Sequence, residues 1–333
     1  MAKKELIALI AGTVFFIAVA WAAVFELSQR SRSKAENFVV LRGENLLQIT
    51  TNLKEEGYIK SKMFFLLETI TTGNFKKFKA GIYDFKNQDD LGIIKKLSSG
   101  QTVPVGFTVI PGWSINDIAK HLEAKKIVQK KDFLKAVLNE IPPGFKEEFA
   151  FLQDVPDGAG LEGYLFPDTY YIAANPEPED IASQMLENFS EKLTPEMREK
   201  IEKQDKKIFD IVVMASILEK EVRTEEDKKA VAGILWKRAA KGWPLQVDST
   251  LLYFLVSDHP SLEDKYADSP YNTYKYGGLP KGPICNPGIE SIKAAIDPAA
   301  SDYFFYLSAK DGRTIFSKTY AEHLVNIAKY LNN

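Results

Sequence analysis

The sequence predicts an α+β protein carried on a single N-terminal transmembrane helix. Three observations predict it: an uncharged apolar run near the N-terminus, a strand–glycine–helix pattern that occurs twice, and a C-terminal half in which helices give way to a hairpin. The run Leu6 to Phe25 (LIALIAGTVFFIAVAWAAVF) holds no charge and no proline. Twenty helical residues rise about 30 Å, the hydrocarbon thickness of a bilayer. Trp21 sits near one end, where interfacial aromatics are favoured. A cleaved signal peptide is the alternative, but its apolar region is usually shorter, and no small-x-small site ends this one. Lys3 and Lys4 precede the span while Arg30, Arg32 and Lys34 follow it, so flanking charge does not set the orientation.

Composition narrows the class. The chain has 333 residues, a formal net charge of −2 and 45% hydrophobic residues, enough for two compact domains and too apolar for disorder. Balanced charge gives no footprint for nucleic acid. One cysteine, Cys285, excludes an intramolecular disulfide framework. His121, His259 and His323 are scattered, so a structural zinc site is not expected, nor any other metal or cofactor.

Residues 28–37 are polar and basic and read as a juxtamembrane linker. The stretch from Phe38, FVVLRGENLLQITTNLKEEGYIKSKMFF, then superposes on the stretch from Phe107, FTVIPGWSINDIAKHLEAKKIVQKKDFL. Gly43 falls on Gly112, Leu46 on Ile115, Ile49 on Ile118, Leu53 on Leu122 and Phe64 on Phe133. Each copy reads as a β-branched strand, a glycine turn and an amphipathic helix. Between them, Lys79 to Phe85 reads as a strand and Leu91 to Leu97 as a short helix. The pattern resembles the LysM type of small glycan-binding module, with a plain α/β spacer as the alternative.

Pro142-Pro143-Gly144 and DVPDGAG (Asp154 to Gly160) mark a boundary. Helices are predicted over Asp180–Leu193, over Pro195–Lys203 behind a Thr194 cap, over Lys207–Glu221, and over Glu225–Lys241 ending at Gly242. A strand at Tyr303–Ala309, a turn at Asp311-Gly312, a strand at Thr314–Phe316 and a helix from Tyr320 complete the chain.

Chemistry points to Met214-Ala-Ser-Ile-Leu-Glu-Lys-Glu-Val222. A carboxyl group set in an apolar helix is desolvated, which favours the protonated form that a general acid needs. Glu219 is that group, and Ala215 and Ser216 one turn earlier leave room for a substrate. Glu221, two residues on, should project about 200° away and face elsewhere. The alternative is a solvated Glu219 paired with Arg223 at i,i+4. Leu161-Glu-Gly-Tyr-Leu-Phe-Pro-Asp-Thr-Tyr170 gathers aromatics around Glu162 and Asp168. Leu245-Gln-Val-Asp-Ser-Thr250 puts Gln246 and Asp248 on a strand-like stretch. Asp268-Ser-Pro-Tyr-Asn-Thr-Tyr274 brings Asn272 and Tyr274 onto a loop that precedes Gly278-Leu-Pro-Lys-Gly-Pro-Ile-Cys-Asn-Pro-Gly288. Rings that stack on pyranose faces and amides that bond hydroxyls suit a sugar surface.

The segments EGYLFPDTY, ASILEKE, SPYNTY and GLPKGPICNPG, in this order, resemble those of the membrane-anchored endolytic murein transglycosylases of the YceG-like type. The resemblance runs from the anchor to FSKTYAEH (Phe316 to His323). It implies a cytoplasmic tail (1–5), a transmembrane helix (6–27), the linker (28–37), a LysM-like repeated region (38–140) and a mixed α+β catalytic domain (141–333). It implies cleavage of the MurNAc–GlcNAc bond within peptidoglycan glycan strands, giving 1,6-anhydro ends, with Glu219 as catalytic acid/base and no cofactor. Gln246, Asp248, Asn272, Tyr274 and Glu162 are then candidates for holding substrate. Membrane peptidoglycan synthases are candidate partners, and the catalytic domain is expected outside the plasma membrane with the N-terminus inside. One departure is Thr314, where many members carry a His, so a catalytic role for that His does not transfer. Two other readings stay open: a muramidase with Glu162, Asp168 or Asp248 as second carboxylate, and a non-catalytic wall-binding scaffold.

Overall fold

The computed structural model describes residues 37–41, 43–173, 176–255, 261 and 263–331. The expected tail and membrane span, and all of the linker but its last residue, lie outside the described residues. Among the described residues no helix is long and apolar enough to cross a membrane. The fold is α+β, helix-rich, with three two-stranded ribbons.

The chain divides into two compact units, one running through Val105 with residues 171–175, the other holding 106–170 and 176–333. In the first, β1 (Phe38–Val40) pairs antiparallel with β2 (Gly81–Tyr83), Phe38 opposite Tyr83 and Val40 opposite Gly81. Helices α1 (Leu46–Glu55), α2 (Lys62–Thr71) and α3 (Asp90–Ser99) complete it. Their apolar positions, Ile49, Leu53, Phe65, Ile93, Ile94 and Leu97, bury against Phe38, Tyr58, Tyr83 and Phe85. Each such side chain contributes roughly 1.5–3 kcal/mol by leaving water.

The second unit begins within β3 (Val105–Thr108) and continues with α4 (Ile115–Ala124) and α5 (Lys130–Val137). The two repeated segments fold alike: strand, glycine, helix, helix. Gly43 and Gly112 both adopt φ +87°, a left-handed turn that costs a side-chain-bearing residue strain. Asn45 with Gln48 and Ser114 with Asp117 form capping boxes that start α1 and α4 at equivalent positions. The unit boundary falls at Val105/Gly106. The cause is α4: its first N–H is bonded to Glu162, which ties the second copy to the residues that follow it.

The rest of this unit holds α6 (Phe145–Glu148), β4 (Thr169–Ile172), which pairs with β3, α7 (Pro178–Lys192), α8 (Pro195–Lys203), α9 (Ile208–Glu221), α10 (Glu225–Ala240), α11 (Asp248–Phe254) and α12 (Ile289–Ile296). At its end, β5 (Phe305–Ser308) and β6 (Thr314–Ser317) make an antiparallel hairpin ahead of α13 (Tyr320–Tyr330). Helix α9 is the core element. Every residue from Phe209 to Leu218 except Asp210 is buried, and α10 and α12 pack along it. The strand-like reading of residues 245–250 is corrected: Leu245 and Val247 are buried in strand fashion, but Asp248 opens helix α11.

Candidate active site

Helix α9 delivers Glu219 in its last turn, where the core gives way to a cleft of about 490 Å³. The cleft is lined by Glu219, Glu221 and Arg223, by the hairpin tip from Ser308 to Gly312, and by Thr314. The Glu219 side chain is 12% exposed. Its Oε2 accepts the Gly288 N–H at 3.0 Å and the Ser291 hydroxyl at 2.6 Å. Gly288 is the N-cap of α12 and Ser291 lies in that helix's first turn, so the carboxylate sits where a helix N-terminus offers free N–H groups and partial positive charge. The Lys228 ammonium, buried on α10, stands 3.5 Å from both carboxylate oxygens. Glu219 thus sits among donors, and not in the purely apolar surround its helix sequence suggests. These contacts replace the surface pairing with Arg223.

Glu221 takes partners different from those of Glu219. It ends α9, the chain turns extended at Val222, and both carboxyl residues line the one cleft. The Tyr306 hydroxyl donates to Glu221 at 3.1 Å, and burial raises the Glu221 pKa.

A buried network fixes the loops around Glu219. The Ser216 hydroxyl accepts the Ile284 N–H, and the Ser216 carbonyl accepts the Cys285 thiol, clipping the 284–288 loop onto α9. Asn286, fully buried, donates to the Trp113 carbonyl and to Glu162, and accepts the N–H groups of Gly163 and Leu165. Its backbone carbonyl accepts the Gly112 N–H at 2.9 Å, which seats the Pro111–Gly112 turn against Glu219.

The other expected site residues separate into three places. Glu162 is 6% exposed and lines neither hollow near Glu219; it accepts from Ile115 N, Asn286 and the Tyr253 hydroxyl. Its role is to hold the start of α4. Asn272 is 1% exposed, and its amide is spent on the Lys265 and Ala267 carbonyls and the Tyr274 N–H, so it organises its loop and does not face substrate. Gln246, Asp248 and Tyr274 do come together, in a second hollow, with the Tyr274 hydroxyl donating to Asp248 at 2.5 Å. Asp168 binds Asn188 and Lys192 away from both hollows. Lys228, Gly288 and Ser291 were not legible as site residues, being brought to Glu219 only by the packing of α10 and α12. Thr314 lines the cleft. Among the described residues no cluster of three or more His, Cys, Asp or Glu is arranged to hold a metal.

Burial pushes the Glu162 pKa up to about 7, against hydrogen bonds that lower it. The folded protein therefore holds a proton that the unfolded chain releases near 4.5. Stability from this group is complete below that value and is lost as pH rises through about 7. We expect thermal melts of the wild type to lose stability across this window, and Glu162→Gln to flatten the loss. A variant whose melts keep the wild-type slope would contradict this assignment.

Residues 38–329 match the model of the YceG-like family. A Bacillus subtilis (strain 168) protein named endolytic murein transglycosylase is 30% identical over 93% of this chain and 89% of its own length. A Streptococcus pneumoniae protein of the same name is 28% identical over 87% of this chain, and the chain spans only 57% of its length. The crystal structure of a yceG-like protein from Listeria monocytogenes superposes with a TM-score of 0.60 at 30% identity, covering 87% of this chain and 98% of that one.

Proposed function

The chain belongs to the YceG-like family, and from that premise we propose that it is an endolytic murein transglycosylase with Glu219 as its acid/base. The observation that carries this is a single one: a carboxyl side chain almost removed from water, yet opening on a cleft and held from one side by Gly288 and Ser291. Glu219, protonated, donates to the glycosidic oxygen as the MurNAc–GlcNAc bond breaks and an oxocarbenium-like transition state forms. The resulting carboxylate takes the proton of the MurNAc C6 hydroxyl, which attacks C1 and closes the 1,6-anhydro ring. The proton gained equals the proton lost, and no water is consumed. A muramidase would need a second carboxylate about 5–9.5 Å away. Glu162 and Asp168 are not in the cleft, Asp248 lines the neighbouring hollow, Glu221 is tied to Tyr306, and Asp311 at the hairpin tip is tied to Arg313. Mass spectrometry of digested peptidoglycan tests the reading: anhydro ends support it, and reducing ends in their place overturn it.

The apolar run Leu6 to Phe25 anchors the chain in the plasma membrane, N-terminus inside, because the substrate lies outside. A reporter fused after Asn333 that works only in the cytoplasm would refute this orientation. The repeated strand–glycine–helix segments serve as LysM-like glycan contacts, and the enzyme limits strand length beside a membrane synthase; loss of co-purification with such a synthase would remove that last part.

A further inference from the structure

The cleft at Glu219 is not the only hollow on this face of the second unit. Beside it, a hollow of about 560 Å³ lies between α11, the β5 strand and α13, within the roughly 300–1,000 Å³ of small-molecule sites. Glu221 and Ser308 line both, so the two are neighbours. The walls of the second hollow differ in chemistry. One is aromatic: the rings of Phe305 and Tyr320 lie 5.8 Å apart, and Tyr320 is 61% exposed. The other is polar: Asp248, Tyr274 and Gln246.

The polar wall is built, not incidental. Gln246 adopts φ +58°, a conformation that side-chain-bearing residues avoid, and is held there by its N–H to the Thr273 carbonyl and by Arg238, whose Nη2 donates to its Oε1 at 2.6 Å. Arg238 is 7% exposed, and its Nε has no hydrogen-bond partner among the described residues. A strained residue supported by a buried guanidinium, at the edge of a cavity, is the signature of a site that recognises something.

We propose that this hollow is a saccharide subsite that takes a sugar ring of the glycan strand beyond the bond cleaved at Glu219. A pyranose offers one C–H face, which stacks on the exposed Tyr320 ring, and an edge of hydroxyls, which the Asp248 carboxylate, the Tyr274 hydroxyl and the Gln246 amide accept and donate to. A strand long enough to fill both hollows is bound at two places, which gives an enzyme that cuts within strands a reason to prefer long ones. The inference rests on the transglycosylase reading for its choice of ligand.

The test uses the full chain carrying Glu219→Gln, so that strands bind without being cut, and end-labelled glycan strands of graded length, freed of stem peptides. Anisotropy should show affinity stepping up about tenfold, equivalent to about 1.4 kcal/mol, when strands become long enough to reach the hollow. Adding Tyr320→Ala or Asp248→Asn should erase the step, whereas Tyr320→Phe, which keeps the ring, should preserve it. Both positions are exposed, so the fold is expected to tolerate the changes. Double variants that bind long strands as tightly as the Glu219→Gln parent overturn the subsite, as does a step that appears only when stem peptides are attached. A wild-type protein that yields no anhydro ends while the length step persists would sink the reaction and leave the subsite standing.

Discussion

Glu219→Gln is expected to lower glycan cleavage by about 10²–10⁴-fold, the usual worth of positioned acid/base help. The substitution is nearly isosteric. Its carbonyl can still accept from Gly288 N and Ser291 Oγ at the places where Oε2 now does. What it cannot do is carry a proton from one sugar oxygen to the other. Lys228, whose side chain is 6% exposed, loses its carboxylate, and the fold should weaken by about 1–3 kcal/mol. That is small beside the 5–15 kcal/mol typical of a folded protein. Release of anhydro-ended fragments, measured with circular dichroism on the same samples, separates the two effects. Cleavage near the wild-type rate would remove Glu219 from the mechanism.

Asn286→Ala should produce the largest structural effect of any single change near the site. Its side chain makes four hydrogen bonds and is fully buried. Truncation leaves the N–H groups of Gly163 and Leu165 without acceptors and frees Glu162 from one donor. Buried donors left unsatisfied cost about 1–3 kcal/mol each, so the fold should lose roughly 3–5 kcal/mol. That corresponds to a fall in melting temperature of about 10 °C. Because Asn286 stands two residues before Gly288, the N–H that grips Glu219 should loosen, and kcat should fall more than KM rises. A variant that melts with the wild type would show that the network does not hold the site.

The parts of the fold legible in the sequence are those set by local chemistry. The Thr194 cap and the proline behind it start α8 where expected, and Thr319 caps α13. The apolar phase of Lys207–Glu221 marked the buried helix, because a segment apolar on all sides must lie in the core. The glycine shared by the two repeats announced a left-handed turn that both copies adopt. Where reading failed, partners distant in sequence decide. Glu162 read as a carboxylate among rings able to hold substrate, but it is buried and accepts from Asn286, 124 residues away. Asn272 looked like a sugar ligand, but an irregular loop must satisfy its own carbonyls, and the amide is used there. Alternation at Leu245 and Val247 promised a strand that Asp248 ends by starting a helix. The groups that hold Glu219, 69 and 72 residues further on, were not legible.

The account depends on the sugar's own C6 hydroxyl, and not water, attacking the anomeric carbon. Running the digestion in ¹⁸O-labelled water and weighing the new chain ends tests this directly. The mechanism at Glu219 predicts anhydro ends with no label. Ends that carry one ¹⁸O would mean that water attacks, and the protein would be a hydrolase.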